Sequence, residues 1–440
     1  MHKGFIGNHP WVLMGVFNAS LAIIESSSST SIPTIVMREF KECVDRLEVL
    51  DVNQTGLQFT WNQQPNATSG LLWKIDRIMA NEVFIEKYSN AYGIFQPYRI
   101  YDHSPAILKL QSGGVQCPKP FSFSNHVALN DDFKPTVNKV WNMECVGHKM
   151  YQVVSKLRSL KKPLRKLMWS KGNLHDRVNN IKKELDMVQI QLDQNPNSVE
   201  LRVKESATLK LSNEALIEEE TYLRQRAKIK WLRVGDCNSS YFHKVFKGKV
   251  HRSHIHSVAD QFGHVFEGAV VPQVFVDHFT NFLGTSAPTL GINEPNSLFN
   301  ARIPSDVAIH MVRPVLDEEV RSPVFGIGDF KSPGPDGFSA LFFKKTWDII
   351  RAGIMEAIKE FFINGQFLKE INHTVIALLP KTNVPSQVND FRPISCCNVL
   401  YKIISKIVTN RIKMGLNWVV SENQFTFIPG RRISDNILLT

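Results

Sequence analysis

This chain lacks the features that define several broad classes of protein. No apolar run in its 440 residues reaches the ~18 residues that a membrane-spanning helix needs. The N-terminal stretch MHKGFIGNHPWVLMG has too short an apolar segment, and no small-residue cleavage site, to be a signal peptide. The 6 cysteines show no CxxC spacing, which favours free thiols in a reducing compartment. These absences predict an intracellular protein of the nucleus or the cytoplasm, with no tie to a membrane.

The positive charge of the chain is concentrated in its middle. Residues 1–148 hold 12 basic and 13 acidic groups, residues 149–260 hold 23 and 12, and residues 261–440 hold 17 and 16. The middle segment therefore accounts for the net charge of +11. A basic segment between two nearly neutral blocks is typical of a protein that contacts the phosphates of DNA or RNA, although a Lys-rich solvated helical surface gives the same count.

The pattern of apolar residues predicts a multi-domain α+β fold. Residues 1–111 combine an amphipathic helix near 34–48 with short strands at 11–14, 57–61, 92–96 and 106–110. Residues 112–132 contain two adjacent glycines, two prolines and few charges, which is typical of a linker.

The rest of the chain is predicted to be mainly helical at first and mixed afterwards. Residues 133–250 have helical spacing with a turn at NPNS, 195–198, so two antiparallel helices or a coiled coil with another chain are both possible. A hairpin is predicted at 251–267, and a buried strand at TVIALLP, 374–380.

The stretch WVLMGVFN, residues 11–18, poses a chemical question. An apolar strand that ends in Gly and then presents a polar residue often delivers a catalytic group at the edge of a sheet. Here the position after Gly15 is Val16, which can neither bind a metal nor move a proton.

This stretch resembles part of a known family when it is taken with three later ones. Together with FTWNQ (59–63), KIDRIM (74–79) and IFQPYRIYDHSPAIL (94–108), it is similar to the C-terminal half of the endonuclease of plant non-LTR (LINE-type) retrotransposon polyproteins. That endonuclease is of the endonuclease/exonuclease/phosphatase class. These polyproteins continue with a basic connector and a reverse transcriptase.

The resemblance implies a role for each polar residue of these stretches. His103 is the catalytic histidine, Asp102 precedes it, and Asp76 orients its imidazole. Asn18 binds the scissile phosphate, and Val16 replaces the Asp that positions the attacking water. Phosphodiester hydrolysis needs such an activated water and a fixed imidazole tautomer, so the loss of the carboxylate predicts a rate lower by about 100- to 1,000-fold or more.

A further part of the family's endonuclease is expected to be absent. The upstream half of the endonuclease, with its metal-binding Asn and Glu, has no counterpart in this sequence. Intact members use Mg²⁺, but for this chain we predict no bound cofactor and no metal site.

A second block, beginning at KSPGPDGFSALFFKKTW (331–347), resembles the N-terminal fingers of a LINE-type reverse transcriptase. The resemblance continues through 374–412 and 421–440. It implies that Lys381 and Arg392 grip the triphosphate of a nucleotide, which suits an ammonium and a guanidinium, although Arg392 could instead be a structural cation paired with Asp390. The palm carboxylates that hold two Mg²⁺ ions in this family are not in the sequence, so no polymerase site is expected.

The middle segment resembles the connector of the same family. Its residues 231–243 follow the family pattern W-L-x-x-G-D-x-N-x-x-x-F-H. Trp231 and Phe242 could stack bases, but as core residues they would equally pin helix ends. The predicted nucleic-acid-binding cations lie in this segment and near the C-terminus: Arg224, Arg226, Lys228, Lys230, Arg233, Lys244, Lys247, Lys249, Arg431 and Arg432.

The sequence therefore predicts a retrotransposon-derived fragment without catalysis. Its expected parts are a truncated α/β-sandwich endonuclease half (1–111), a linker (112–132), a basic long-helix connector (133–267) and truncated reverse transcriptase fingers (268–440). DNA or RNA is the expected partner, bound without sequence preference. The alternatives are weak Mg²⁺-dependent nicking and a decayed fragment without function.

Overall fold

The fold is described in a computed structural model of the chain. The described residues are 9–27, 32–64, 70–88, 90–110, 120–170, 172–227, 255–286, 291, 301–382, 385–421, 424, 428, 430 and 431. Contacts divide the chain into two units. The first unit is made of Met1–Pro118, Asn238–Ala287 and Leu378–Ile394, and the second unit of Lys119–Cys237, Pro288–Ala377 and Ser395–Thr440.

The strands of the described residues are short. They are β1 (Val12–Val16), β2 (Val49–Asp51), β3 (Gln54–Gly56), β4 (Trp61–Asn62), β5 (Leu72–Trp73), β6 (Asp76–Asn81), β7 (Tyr92–Phe95), β8 (Ala106–Lys109), β9 (Ser257–Ala259), β10 (Val265–Glu267), β11 (Thr374–Pro380) and β12 (Phe391–Cys397).

Helices make up most of the second unit. In chain order the helices are α1 (Ile35–Leu47), α2 (Glu82–Lys87), α3 (Phe133–Trp141), α4 (Lys149–Trp169), α5 (Leu174–Gln194), α6 (Val199–Ala227), α7 (Val271–Gly284), α8 (Ser305–Val312), α9 (Asp317–Gly326), α10 (Ala340–Lys345), α11 (Trp347–Asn364), α12 (Lys369–Asn372) and α13 (Val399–Val419). Among the described residues, no helix combines the length and the apolar character required to cross a membrane.

The first unit is built on two three-stranded sheets. One sheet has the order β1-β6-β2, and its strands pair antiparallel. The other has the order β3-β7-β8, in which β3 runs parallel to β7 and β8 antiparallel to it. Among the described residues β1 is an edge strand, and its Met14 and Val16 are about half exposed.

Strand β6 is the centre of the first unit because it is buried on both faces. On one face Ile78 and Ala80 join a core cluster with Phe84 and Phe95, from α2 and β7. On the other face Met79 joins a second cluster that includes Val44 of α1. Successive side chains of a strand point to opposite faces, so residues 76, 78 and 80 share one face and residues 77 and 79 share the other.

Helix α1 covers the second of these faces. The Thr34 hydroxyl accepts a hydrogen bond from the backbone N–H of Met37 at 3.2 Å, which caps the start of the helix. The helix ends where Glu48 adopts a left-handed conformation. The helix predicted near 34–48 is therefore confirmed.

The predicted hairpin at 251–267 is formed by β9 and β10, which pair antiparallel, and it lies in the first unit. The ring of His256 stacks on that of Tyr92 with centroids 4.5 Å apart. Lys109 and Glu267 form an ion pair of 2.8 Å. Residues that the sequence assigns to the end of the connector thus pack beside β7 and β8. The predicted domain boundaries stay a prediction.

Helices α5 and α6 of the second unit pack against each other in antiparallel directions. Arg177 near the start of α5 pairs with Glu218 near the end of α6 at 2.6 Å. Farther along, Gln189 donates to Glu205 at 3.0 Å. From the first pair to the second the residue number rises along α5, from 177 to 189, and falls along α6, from 218 to 205. For the described residues this confirms the prediction of two antiparallel helices joined by a turn at 195–198.

The turn KSPGPDGF, residues 331–338, packs closely against residues 121–123 at Gly337. Gly337 has φ +81°, and a Cβ there would lie 2.0 Å from the carbonyl oxygen of Phe121. The backbone N–H of Phe123 donates to the carbonyl of Gly337 at 2.8 Å. Only a glycine permits both this conformation and this approach, since an added side chain would collide with backbone.

Candidate endonuclease-like site

The first unit brings His103 and Asp76 into direct contact. The imidazole Nδ1 lies 3.1 and 3.0 Å from the two carboxylate oxygens of Asp76. The Asp76 side chain is buried, whereas that of His103 is 37% exposed. An ionised carboxylate only accepts hydrogen bonds, so a bond to it requires a proton on Nδ1, and in that tautomer of the imidazole Nε2 is the basic nitrogen. The arrangement can take a proton from a water or hydroxyl that reaches Nε2.

Thr60, which the sequence analysis did not single out, holds both halves of this pair. It is fully buried, and its hydroxyl accepts from the backbone N–H groups of Ile75 and Asp76 at 3.1 and 2.9 Å. Its carbonyl accepts from the N–H of Ser104, next to His103, at 2.7 Å. The sequence predicts a strand at 57–61, and this prediction is wrong. In the structure β3 ends at Gly56 and β4 begins at Trp61, so residues 57–60 lie between two strands.

We expect Thr60→Val to destabilise the first unit by roughly 1–3 kcal/mol. Valine has nearly the same shape but leaves the buried N–H groups of Ile75 and Asp76 without their acceptor. Urea unfolding followed by circular dichroism measures the effect. Thr55→Val is the matched control, because Thr55 is a half-buried threonine of β3, and it should change stability by less than about 0.5 kcal/mol. Equal midpoints for the two variants would contradict the role of the Thr60 hydroxyl.

Asp102 contacts a tryptophan rather than the imidazole. Its carboxylate accepts a hydrogen bond from the indole Nε1 of Trp61 at 3.1 Å. This bond is the main reason that the pKa of Asp102 lies below its ordinary value. Trp61 also bridges to His103 through backbone pairing, and its ring centroid lies 6.4 Å from that of the imidazole. Asp102 therefore fixes Trp61 beside the pair, while Asp76 alone contacts the imidazole among the described carboxylates.

Val16 lies directly across from Asp76. The antiparallel register of β1 and β6 pairs these two residues. Opposite residues of such a pair share a face, with Cβ atoms about 4.5–5.5 Å apart. Val16 is 49% exposed, so this position is open to solvent. The carboxylate that the resemblance places here would therefore stand next to the Asp76–His103 pair.

Asn18 follows two residues later and is exposed. Its backbone has φ 54°, a left-handed conformation that asparagine tolerates better than most residues. The neighbouring Phe17 is fixed by a hydrogen bond from its N–H to the carbonyl of Ile75 at 2.9 Å. Within the described part of the chain, Asn18 makes no hydrogen bond to Asp76 or His103.

No group of three His, Cys, Asp or Glu side chains among the described residues has the geometry of a metal site. The Asp76–His103 pair supplies one buried carboxylate, which is already bound to the imidazole. These residues do not fit the Mg²⁺ site that the resemblance implies for intact family members.

The two predicted nucleotide-binding residues lie in Leu378–Ile394 of the first unit. The Nζ of Lys381 donates to the carbonyl of Asn389 at 2.6 Å, and Arg392 is exposed. The carboxylate of Asp390 accepts from the backbone N–H groups of Ser386 and Gln387, both at 2.9 Å, and these bonds lower its pKa. Among the described residues no ion pair joins Asp390 to Arg392. The alternative in which Arg392 is a structural cation paired with Asp390 is therefore wrong.

Few of the predicted nucleic-acid-binding cations can be placed. Arg224 lies with its guanidinium 5.0 Å from the ring centroid of Phe330. Arg431 donates to the carbonyls of Val420, Ser421 and Gln424 at 2.5–3.3 Å and so holds the chain that follows α13. The side chain of Arg226 is not described, and the remaining cations lie outside the described residues: Lys228, Lys230, Arg233, Lys244, Lys247, Lys249 and Arg432.

A cavity with charged side chains in its lining lies in the second unit, and no sequence pattern predicts it. It has a volume of about 190 Å³ and is lined by Arg158, Lys161, Asp336, His373 and others. Asp336 is half-buried at the surface but surrounded by protein at longer range, and this burial raises its pKa to about 6. Burial likewise lowers the pKa of Lys161. In the sequence Asp336 looks like an ordinary turn residue, and no pattern marks it otherwise.

The first unit thus holds a buried carboxylate, that of Asp76, in contact with a partly exposed imidazole, that of His103. Comparison with known proteins points to transposable elements. Over 109 residues, 25% of its length, the chain is 34% identical to the transposon TX1 uncharacterized 149 kDa protein of Xenopus laevis. Over 106 residues, 24% of its length, it is 31% identical to the retrovirus-related Pol polyprotein from type-2 retrotransposable element R2DM of Drosophila melanogaster.

These similarities cover 8% and 10% of the two relatives, so the chain spans a small part of their length. No family model matches it. The chain is thus similar in part to transposon proteins, which supports the predicted family at that level.

Proposed function

We propose that this chain is a piece of a plant-type non-LTR retrotransposon polyprotein that binds DNA or RNA through its connector and neither cuts nor copies it. The observation that carries the binding proposal is the confinement of the +11 charge to residues 149–260. Partial similarity to a Pol polyprotein of a retrotransposable element supports the same reading. Cations clustered in this way neutralise phosphates and release counterions, which binds nucleic acid of any sequence.

The absence of cutting rests on Val16. At the position opposite Asp76, where the resemblance implies an aspartate, the side chain is aliphatic. Nothing in the Asp76–His103 pair replaces the lost carboxylate, since Asp76 already binds Nδ1 and Asp102 binds Trp61. The assignment of Lys381 and Arg392 to a nucleotide stays a prediction from the resemblance.

Binding should fall steeply with salt. For roughly six phosphate contacts, the logarithm of the affinity is expected to fall with the logarithm of the salt concentration at a slope of about −5. Fluorescence anisotropy of a mixed-sequence duplex and of a single strand, from low to physiological salt, measures this slope. Replacing the cations Arg224, Arg226, Lys228, Lys230 and Arg233 with Ala should reduce the magnitude of this slope to about 1.

A matched control replaces the same number of exposed cations elsewhere: Arg38, Lys41, Arg46, Lys345 and Lys369. This variant should keep most of the slope, because its cations lie outside the basic segment. A flat salt response of the natural chain would overturn the proposal and favour a decayed fragment. Equal losses in both variants would mean that net charge, and not the connector, governs binding.

A second candidate function is weak nicking through Asp76, Asp102 and His103. The contact between the His103 imidazole and the Asp76 carboxylate favours it, because a decayed site need not keep this pair. Its test is the restoration of the carboxylate at position 16.

A further inference from the structure

The loop between β7 and β8 ends at the Asp76–His103 pair. Its base is fixed by strand pairing of Phe95 with Ala106 and by a hydrogen bond from Gln96 N–H to the carbonyl of Pro105 at 3.0 Å. Its tip is a turn in which the N–H of Tyr101 donates to the carbonyl of Tyr98 at 2.8 Å. The tip is therefore held in one shape on a paired base, two residues before His103.

This tip exposes large apolar side chains. Ile100 is 85% exposed, more than any other large apolar side chain among the described residues of the first unit, and Tyr101 is 65% exposed. A contiguous exposed apolar patch is a feature of interaction surfaces, whereas apolar residues exposed singly need no explanation.

A cation stands beside them in a backbone conformation that costs free energy. Arg99 is exposed and has φ 50°, a left-handed conformation that glycine or asparagine would adopt more easily. Strain of this kind persists where the surrounding structure imposes it, commonly at functional sites. The order cation, isoleucine, tyrosine thus projects from the protein next to the imidazole.

An aromatic side chain also lies beside the pair. Trp61 is bridged to His103 and pairs across β4 and β5 with Trp73. The indole of Trp61 is oriented by its bond to Asp102. Trp61 and the loop tip thus both lie beside His103, and Arg99 adds a positive charge at the tip.

We propose that residues 99–101 form a wedge that enters double-stranded DNA beside the His103–Asp76 pair. Ile100 and Tyr101 enter between stacked base pairs, and Arg99 contacts a neighbouring phosphate. This inference rests on the proposed nucleic-acid binding. Apolar side chains inserted in this way unstack a base step and kink the duplex, and the unstacking cost is offset by the protein surface that the bent DNA then covers. A preformed turn lowers the entropic cost of presenting the wedge.

The experiment uses the full chain and one duplex that carries 2-aminopurine in the centre of one strand and fluorescein at one end. Anisotropy of the fluorescein reports binding, and 2-aminopurine emission, which rises when the base unstacks, reports the wedge. We expect the natural chain to raise this emission severalfold. Ile100→Ser with Tyr101→Ser should abolish most of the rise while the slope of affinity against salt is kept.

The matched control is Ile32→Ser with Ile35→Ser, because these isoleucines are 78% and 65% exposed. They lie before and at the start of α1, which covers the face of β6 opposite to Asp76. The control should retain the full rise in emission. Arg99→Asn, which tolerates the left-handed conformation, should lower the magnitude of the salt slope by about 0.9. Circular dichroism melts of each variant show whether the fold is kept.

The two readouts separate the failure of this proposal from that of the proposed function. Binding without a rise in 2-aminopurine emission would overturn the wedge and leave connector binding intact. Absence of binding would overturn both. A rise that survives the Ile100 and Tyr101 replacements would assign unstacking to another element. The proposal would also be overturned if these replacements changed the molar mass of the protein in solution, measured by light scattering. An equal rise in 2-aminopurine emission with duplex RNA would overturn it as well.

Discussion

Val16→Asp is expected to raise the nicking of supercoiled plasmid DNA by about 100-fold or more over the natural chain. Position 16 pairs directly with Asp76 in the β1–β6 register and is 49% exposed, so a carboxylate there can be hydrated and lie beside the His103 imidazole. It would accept a hydrogen bond from the attacking water and orient it towards phosphorus. Because Asp76 is already bound to Nδ1, the new carboxylate completes a function that no described residue supplies.

The measurement is the conversion of supercoiled to open-circular plasmid in the presence of Mg²⁺. Val16→Asn is the matched control, since its amide oxygen still accepts a hydrogen bond but carries no negative charge, and it should raise the rate far less than Val16→Asp does. Adding His103→Ala to Val16→Asp should return nicking to background. Nicking that persists in this double variant would indicate a contaminating nuclease, and no gain from Val16→Asp would mean that the site lacks more than one carboxylate.

Local patterns in the sequence predict the regular elements well. The helix predicted near 34–48 is α1, because it has an uninterrupted period and clear end signals. The strand predicted at 374–380 is β11, but the prediction that it is buried is wrong, since its residues are exposed or half-buried. The strand predicted at 57–61 differs because Thr60 uses its hydroxyl and carbonyl to bind two other segments. Such long-range hydrogen bonds leave no mark in a short window of sequence.

The candidate site depends on a resemblance and not on pattern alone. Asp76 and His103 are 27 residues apart, and their contact of 3.0 Å arises only when β6 and the loop before β8 come together. The contact is observed, whereas the catalytic role of each residue stays a prediction. The neighbours that position the pair, Thr60 and Trp61, look like ordinary strand residues in the sequence.

Arg77 is a buried cation that no sequence pattern distinguishes from a surface charge. In KIDRIM it follows Asp76 and precedes Ile78, yet its side chain is fully buried on the face of β6 that α1 covers. It forms ion pairs with Glu25 and, at 2.7 Å, with Asp51. Its Nε has no hydrogen-bond partner among the described residues. A buried cation of this kind is held by its two carboxylates, which join the loop before α1 and β2 to the central strand.

We expect Arg77→Met to lower the free energy of unfolding of the first unit by about 3 kcal/mol, because removing one partner leaves buried charge without compensation. This loss is a large fraction of the total stability of a typical domain, so urea unfolding should show a much lower midpoint. Lys74, 3.5 Å from Asp51 and 4.0 Å from Glu25, offsets only part of it. Arg38→Met, an exposed arginine of α1, is the control and should change stability by less than about 0.5 kcal/mol.

The same argument predicts a partial rescue. Combining Arg77→Met with Glu25→Gln and Asp51→Asn removes both uncompensated charges, so this triple variant should be more stable than Arg77→Met alone. The amide oxygen of Gln at 25 can still accept the backbone N–H groups of Leu21 and Ala22, which Glu25 binds at 2.6 and 3.1 Å. A triple variant less stable than Arg77→Met would show that the carboxylates stabilise the unit through these backbone bonds more than through the arginine.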